Sequence, residues 1–236
     1  MAIPWLQTDD DFPPVQQALL KPNGLLAAGA DLSPQRLLQA YRRGIFPWFS
    51  PGEPILWWSP DPRMVLFPAE LHLGRSLRKD IRKNRFRLSL DEAFSQVVQH
   101  CANINRPGQQ GTWISTAMFE AYQQLHNLGY AHSAEAWLGE QLVGGLYGVS
   151  IGRVFYGESM FALCPNASKI AFARLIPWLK KQGVGLVDCQ VSTEHLGRFG
   201  ARTISRAQFS MRLQQLTSLS SPPSPWQYTA DDLLLP

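Results

Sequence analysis

What this chain of 236 residues has least of is cysteine chemistry and long apolar runs. Its three cysteines, Cys101, Cys164 and Cys189, are odd in number and lack C-x-x-C spacing. That argues against both a disulfide framework and a zinc site. No apolar run reaches the roughly 18 residues needed to cross a bilayer. The N-terminal stretch MAIPWLQTDDDFPP is acidic and proline-rich, with no basic region leading into an apolar one, so it does not read as a secretory signal. There is no G-x-x-x-x-G-K-[ST], no G-x-G-x-x-G and no H-E-x-x-H, which removes the usual marks of nucleotide and zinc-protease chemistry. The expectation is a soluble, cytoplasmic protein of a reducing compartment, without a membrane partner.

What is present begins with a real core: 45% of the residues are hydrophobic, enough for one large domain or two unequal ones. The net charge of +4 is unevenly spread. RSLRKDIRKNRFR, residues 75–87, holds seven basic residues and one acid, and taking its +6 from +4 leaves −2 for the rest. Arg75, Arg78, Lys79, Arg82 and Lys83 recur at three- and four-residue spacing, so a helix sets most of them on one side. Such a patch points to a polyanionic partner; a solvated helix face is the alternative. The geometry suits a phosphate backbone and carries no base specificity.

The stretch GIFPWFSPGEPILWWSPDPR, residues 44–63, packs five prolines and five aromatics into twenty residues. Proline removes backbone donors, so this is neither a helix nor an ordinary central strand. It divides a small N-terminal domain, 1–62, from a larger one, 63–236. Before it, Ser33, Pro34 and Gly44 mark the cap, first residue and end of a helix. After it come the strand FRLSL and a helix that Asp91 can cap, with Phe94, Val97, Val98 and Cys101 on one face. Ser115 can cap a second helix that Gly129 closes. Three strands follow, AHSAEAWL, QLVGGLYGVS and RVFYGESMF, the last two joined as a hairpin through Ile151-Gly152. A helix from about 167 to 181, the strand GLVDCQV and a helix capped by Ser205 complete the order. The Ser/Pro-rich tail from Ser218 reads as irregular surface chain.

Antiparallel strands in succession, then a helix, then a strand, resemble the core of the GCN5-related acyltransferase superfold, whose sheet splits to admit an acyl donor. The expected class is therefore α+β: a GCN5-related acyltransferase-like C-terminal domain, with a mixed, mostly antiparallel sheet flanked by helices, and a small N-terminal α/β domain. The segment PNGLLAAGADLSPQRLLQAYRRGIFPWFSPGEPILWWSPDPR resembles the N-terminal signature of the bacterial leucyl/phenylalanyl-tRNA–protein transferases. GTWIST, GGLYGVSIGRVFYGESMF, ASKIA and VDCQV extend the likeness over about residues 20–205. The resemblance implies an aminoacyltransferase of the N-end rule that moves Leu or Phe, sometimes Met, from Leu-tRNA or Phe-tRNA to proteins with an N-terminal Arg or Lys. It implies no cofactor, since the ester donor is already activated, and a monomer. The Q/R-x-x-G-x-G/A loop that holds coenzyme A is replaced by FALCPNASK, residues 161–169. A tRNA-dependent peptidoglycan-type aminoacyltransferase and a non-catalytic RNA-binding protein are the alternatives.

Residue by residue, the resemblance sets Asp188 and Gln190 beside the reacting ester. As i and i+2 in a strand they point to one face. Asp188 acts either as a base through Gln190 or only to position the substrate. Glu158 is the sole acid between Gln141 and Val187. By itself it reads as a structural ion pair with Arg153 or Lys169; by resemblance it is the counter-ion of the acceptor's N-terminal Arg or Lys. Leu146, Phe155 and Val187 match the family's aminoacyl side-chain pocket, with Leu175 closing its floor. Trp48, Trp113 and Tyr122 match positions near the terminal adenosine, where aromatic rings stack on bases. Arg75, Lys79, Arg82 and Lys83 are the tRNA-phosphate candidates. Of the adjacent Trp57 and Trp58, at least one is expected to pack the domain junction.

Overall fold

A computed structural model of the chain describes residues 3–104 and 114–233. The N-terminal part builds a four-stranded sheet. β1 (Trp5–Leu6) runs parallel to β2 (Leu25–Gly29); α1 (Pro34–Arg42) follows, then β3 (Phe46–Pro47) and β4 (Leu56–Trp58), in the order β1-β2-β4-β3. α1 begins as its sequence indicates, with the Ser33 hydroxyl accepting from the Arg36 amide and Pro34 in the first turn. Gly44, at φ +76°, then turns the chain into the proline-rich stretch. That stretch folds as a short antiparallel ribbon, with Phe46 opposite Trp58 and Pro47 opposite Trp57. Pro47 lies on the sheet's outermost strand, where a missing donor costs no ladder bond.

The remainder runs through β5 (Arg63–Leu66), α2 (Arg75–Arg82), β6 (Arg87–Leu90), α3 (Phe94–Asn103), α4 (Thr116–Asn127), β7 (Ala131–Leu138), β8 (Gln141–Ile151), β9 (Val154–Ala162), α5 (Ala167–Lys181), β10 (Leu186–Gln190), α6 (Glu194–Gly197), β11 (Arg202–Ile204) and α7 (Arg206–Leu216). Its seven strands order as β11-β5-β10-β9-β8-β7-β6. Every neighbouring pair is antiparallel except β9 and β10. This is the mixed, mostly antiparallel sheet of the expected class.

The sheet separates two apolar clusters. One contains Leu146, Phe155, Val187 and the inner face of α5. Gly144 lets α5 approach β8: a Cβ there would lie 2.5 Å from the Ala167 methyl. The other cluster joins α1 and the N-terminal sheet to α3, α4 and α7, and holds Leu37, Tyr41, Trp57, Tyr122, Tyr156 and Phe209. Trp57 is fully buried there and donates to the Gly29 carbonyl at 2.9 Å. Trp58 is only half-buried.

Two elements differ from their sequence reading. Asp91 does not cap α3, which starts at Phe94 without a side-chain cap. It sits at φ +56°, and its carboxylate takes the amides of Ser133 and Trp226 and Nδ1 of His132. Asp serves caps and such turns through the same short acceptor, so composition does not tell them apart. Nor is the tail only surface chain. Trp226 is 1% exposed and lies flat on His132, with ring centroids 3.8 Å apart.

Candidate active site

β9 and β10 pair side by side only from Leu186 opposite Val154 to Asp188 opposite Tyr156. Beyond that point both strands are irregular. On β9, Tyr147 pairs with Ser159 and Gly148 with Gly157, so Glu158 is an extra residue without a partner across β8. On β10 the register against β5 slips between Asp188 and Gln190, and Gln190 takes φ +60°. Bulges re-aim side chains and end pairing. Here two of them put Glu158 and Gln190 face to face, Gln190 Nε2 donating to Glu158 Oε1 at 3.1 Å. The bulge also explains why Phe155 and Met160, five residues apart, belong to one apolar cluster while Tyr156 and Phe161 belong to the other.

Glu158 takes two further hydrogen bonds, from the hydroxyls of Tyr41 (2.8 Å) and Tyr122 (2.7 Å), which also lie 2.8 Å from each other. Neither Arg153 nor Lys169 pairs with it; Arg153 donates to the Gln182 carbonyl instead. Burial pushes the Glu158 carboxyl up to about 7, against the pull of the two tyrosine hydroxyls, with the Asp188 charge adding to the rise and Arg63 opposing it. Burial, then the Glu158 charge, raises both tyrosines well above their ordinary range, so they stay protonated as donors. A carboxylate offers about four acceptor positions, and three are taken.

Asp188 is fully buried and grips Arg63 with both oxygens, Nε to Oδ1 at 2.8 Å and Nη2 to Oδ2 at 2.6 Å. Arg63 is itself 1% exposed. It lies 4.7 Å from each of the Phe46 and Phe209 rings and donates to the Gly44 carbonyl. Asp188 reaches Gln190 through the backbone, accepting its amide at 2.9 Å. The side-chain amide of Gln190 is turned to Glu158 instead. Simple alternation puts both side chains on one face; the bulge decides which of their atoms meet.

The split encloses a cavity of about 350 Å³ lined by Leu146, Met160, Phe172, Val187 and Leu196, with Glu158, Asp188 and Gln190 among its polar residues. Of the residues expected to hold an aminoacyl side chain, Leu146 and Val187 line this cavity. Phe155 and Leu175, each 1% exposed, are in the same apolar cluster but behind the wall. The reading missed Met160, Phe172 and Leu196 on the wall, and Tyr41 and Arg63 beneath it. Arg63 closes the quoted signature …WWSPDPR, yet its partner is 125 residues away; only the oddity of a charge opening an apolar strand, RMVL, hinted at it.

The aromatic candidates separate. Trp48 is 43% exposed, rests against Trp58 at 5.5 Å between centroids, and accepts the Trp58 indole N–H on its carbonyl. Tyr122 is fully buried under Glu158 and has no open ring face, which differs from a stacking role. Trp113 lies outside the described residues. The basic run behaves as α2: Arg75, Lys79, Arg82 and Lys83 are all exposed, with Lys83 on Asp80 at 2.6 Å. Truncating an exposed stacking tryptophan costs about 1–3 kcal/mol per base. Trp48→Ala is therefore expected to raise the KM for aminoacyl-tRNA about 5- to 160-fold with little change in melting temperature; an unchanged KM removes Trp48 from the donor site.

Among the described residues no helix is long and apolar enough to cross a membrane, and no group of three or more His, Cys, Asp or Glu is placed to hold a metal.

Comparison with known proteins gives concordant matches. The family model for the leucyl/phenylalanyl-tRNA protein transferase matches residues 65–214, and that for its N-terminal domain matches 30–61. The chain is 54% identical over 227 residues to a leucyl/phenylalanyl-tRNA–protein transferase of Laribacter hongkongensis, covering 96% of this chain and 97% of the relative. It is 56% identical to one of Nitrosomonas europaea over 94% of each chain. Among solved structures, L-PGS from Bacillus licheniformis aligns with a TM-score of 0.39 and 12% identity, over 72% of this chain and 54% of that one.

Proposed function

The chain belongs to the leucyl/phenylalanyl-tRNA–protein transferase family, and from that premise we propose that it transfers Leu or Phe, and less readily Met, from aminoacyl-tRNA to the α-amine of an N-terminal Arg or Lys, marking the acceptor for degradation. It works as a cytoplasmic monomer, with residues 1–62 as a small domain and 63–236 as the catalytic one. The observation that carries the reading is Glu158, a carboxyl held by three donors yet with an acceptor position to spare, at the edge of a largely apolar cavity.

The reaction is ester aminolysis. The acceptor amine attacks the ester carbonyl, a C–N bond forms, the C–O bond to ribose breaks, and the ribose oxygen leaves with a proton. A free α-amine has a pKa of about 7.7–8.0, so a fair share is already neutral, and holding the reactants in line lowers the barrier most. Leu146, Met160, Phe172 and Val187 hold the aminoacyl side chain. Gln190, fixed by Asp188 and Arg63 through its backbone, orients the reacting groups. This geometry favours positioning over a base role for Asp188, whose oxygens are spent on Arg63 and the Gln190 amide. The remaining acceptor position of Glu158 receives the cationic side chain of the acceptor.

Transfer of labelled Leu from Leu-tRNA to peptides beginning Arg, Lys, Met or Asp tests the reading; tRNA binding without transfer would sink it. Glu158→Gln is expected to remove most of the preference for Arg and Lys while sparing donor binding. The preference should also depend on pH in the wild type. With its carboxyl pushed up to about 7, Glu158 carries charge above that pH and loses it below. The ratio of kcat/KM for Arg- over Met-initiated peptides should therefore fall as pH drops through about 7, the amine's own titration cancelling in the ratio. A carboxyl raised on folding costs stability as pH climbs from its unfolded value to the folded one. Glu158→Gln should accordingly leave the melting temperature at pH 8 unchanged or higher; a large drop would recast Glu158 as structural.

A further inference from the structure

A second cavity, of about 670 Å³, opens between the first turns of α2 and α5 and the chain around α6. Its basic lining residues are His72, Arg75, Lys169, His195 and Arg198, and it has no Asp or Glu in its lining. His195 is the one lining residue it shares with the acyl cavity. That imidazole meets the Phe199 ring edge-on, and its buried Nε2 has no hydrogen-bond partner among the described residues. Burial, with the Lys169 and Arg198 charges nearby, holds His195 below its ordinary pKa. Arg198 is tethered by Glu194 at 2.6 Å, both side chains largely exposed. Asn166 spends its amide on Asp80 and does not cap α5, and Gly74 offers α2 no side-chain cap. Both helices thus meet the cleft with uncapped first turns, which adds to its positive potential.

We propose that this cleft holds backbone phosphate of the acceptor strand of tRNA, with Arg75, Lys169 and Arg198 supplying the charge and His195 forming the wall between phosphate and acyl group. The inference rests on the transferase reading and deepens it. Three observations single out a nucleic-acid strand. The basic cleft and the apolar cavity meet at the single side chain of His195, which matches a ligand with negative charge close to an apolar group, as in an aminoacylated nucleotide. Arg75 belongs both to the cleft and to the exposed basic face of α2, so the positive surface is continuous. An acceptor chain beginning with Arg or Lys would meet like charge here.

The test uses deacylated tRNA, so it does not depend on transfer taking place. Binding of labelled tRNA is measured against salt for the wild type, the Lys169→Gln/Arg198→Gln double variant and the charge-preserving Lys169→Arg/Arg198→Lys variant, each checked for fold by circular dichroism. Each lost phosphate contact flattens the slope of log K against log salt by about 0.7–0.9. The double Gln variant should therefore bind about tenfold more weakly near 0.1 M salt, with a slope shallower by about 1–2, and the charge-preserving variant should bind nearly as the wild type does. Affinity and slope unchanged in a folded double Gln variant would overturn the proposal. So would a raised KM for acceptor peptide with unaltered tRNA binding, which assigns the cleft to the acceptor chain. A shifted slope in a protein that transfers nothing would keep the phosphate site and remove the transferase reading.

Discussion

Asp188→Ala is expected to lower stability by about 3–5 kcal/mol, because it strands the Arg63 guanidinium in a site closed to water. Both side chains are almost wholly buried and joined by two hydrogen bonds, so neither has an alternative partner in bulk solvent. Breaking one half of such a pair costs far more than the pair itself contributes, while replacing both halves by apolar groups of similar volume is often neutral. Arg63→Met with Asp188→Leu should therefore recover much of the loss in urea denaturation. It should not recover transfer, because the acceptor that fixes the Gln190 amide is gone. Asp188→Asn, which keeps the size and one acceptor oxygen, separates the two chemical roles in the folded fraction. A loss of about tenfold in rate marks positioning; a loss near 10⁴-fold marks a base. Full stability in Asp188→Ala would mean that Arg63 is not enclosed as described.

Trp226→Ala should be nearly as damaging, at about 3–5 kcal/mol for a buried aromatic. The ring stacks on His132, packs against Trp178 at 4.8 Å and reaches Phe155 at 5.8 Å, and its amide is held by Asp91. Phe155 in turn is paired with Val187 on the neighbouring strand. A residue of the tail thus backs the wall of the cavity at the strand split. Besides a lower melting temperature, Trp226→Ala should narrow the gap between Leu and bulkier or smaller donors, measured as relative kcat/KM for differently charged tRNAs. An unchanged melting temperature would show that the tail is only draped over the body.

How far the site could be read in advance follows from the range of each signal. Caps are local, and Ser33, Ser115 and Ser205 all start the helices their spacing indicates. The three long strands and the helix after them were legible from apolar pattern and turn glycines. The resemblance named Leu146 and Val187, and both line the cavity at the strand split. What escaped depends on irregularity or distance. The bulges at Glu158 and Gln190 break the two-residue period from which facing is inferred, so the atoms that meet across the split could not be deduced. Tyr122 read as a residue near the terminal adenosine and Tyr41 as nothing in particular, yet their hydroxyls reach 36 and 117 residues along the chain to one carboxylate. Trp226 sat in a stretch whose composition spoke for loose chain, and one aromatic among serines and prolines does not change a composition.

The Arg63 clamp also constrains the order in which the fold can close during synthesis. Its contacts come from Gly44, Phe46, Asp188 and Phe209, positions spread over most of the polypeptide. A ribosome must deliver α7 before the guanidinium is enclosed, and ten residues more before Trp226 backs the cavity. The cavity's lining residues, Leu146 to Leu196, thus emerge before the side chains that brace them, and the braced site closes in one late step rather than growing with length.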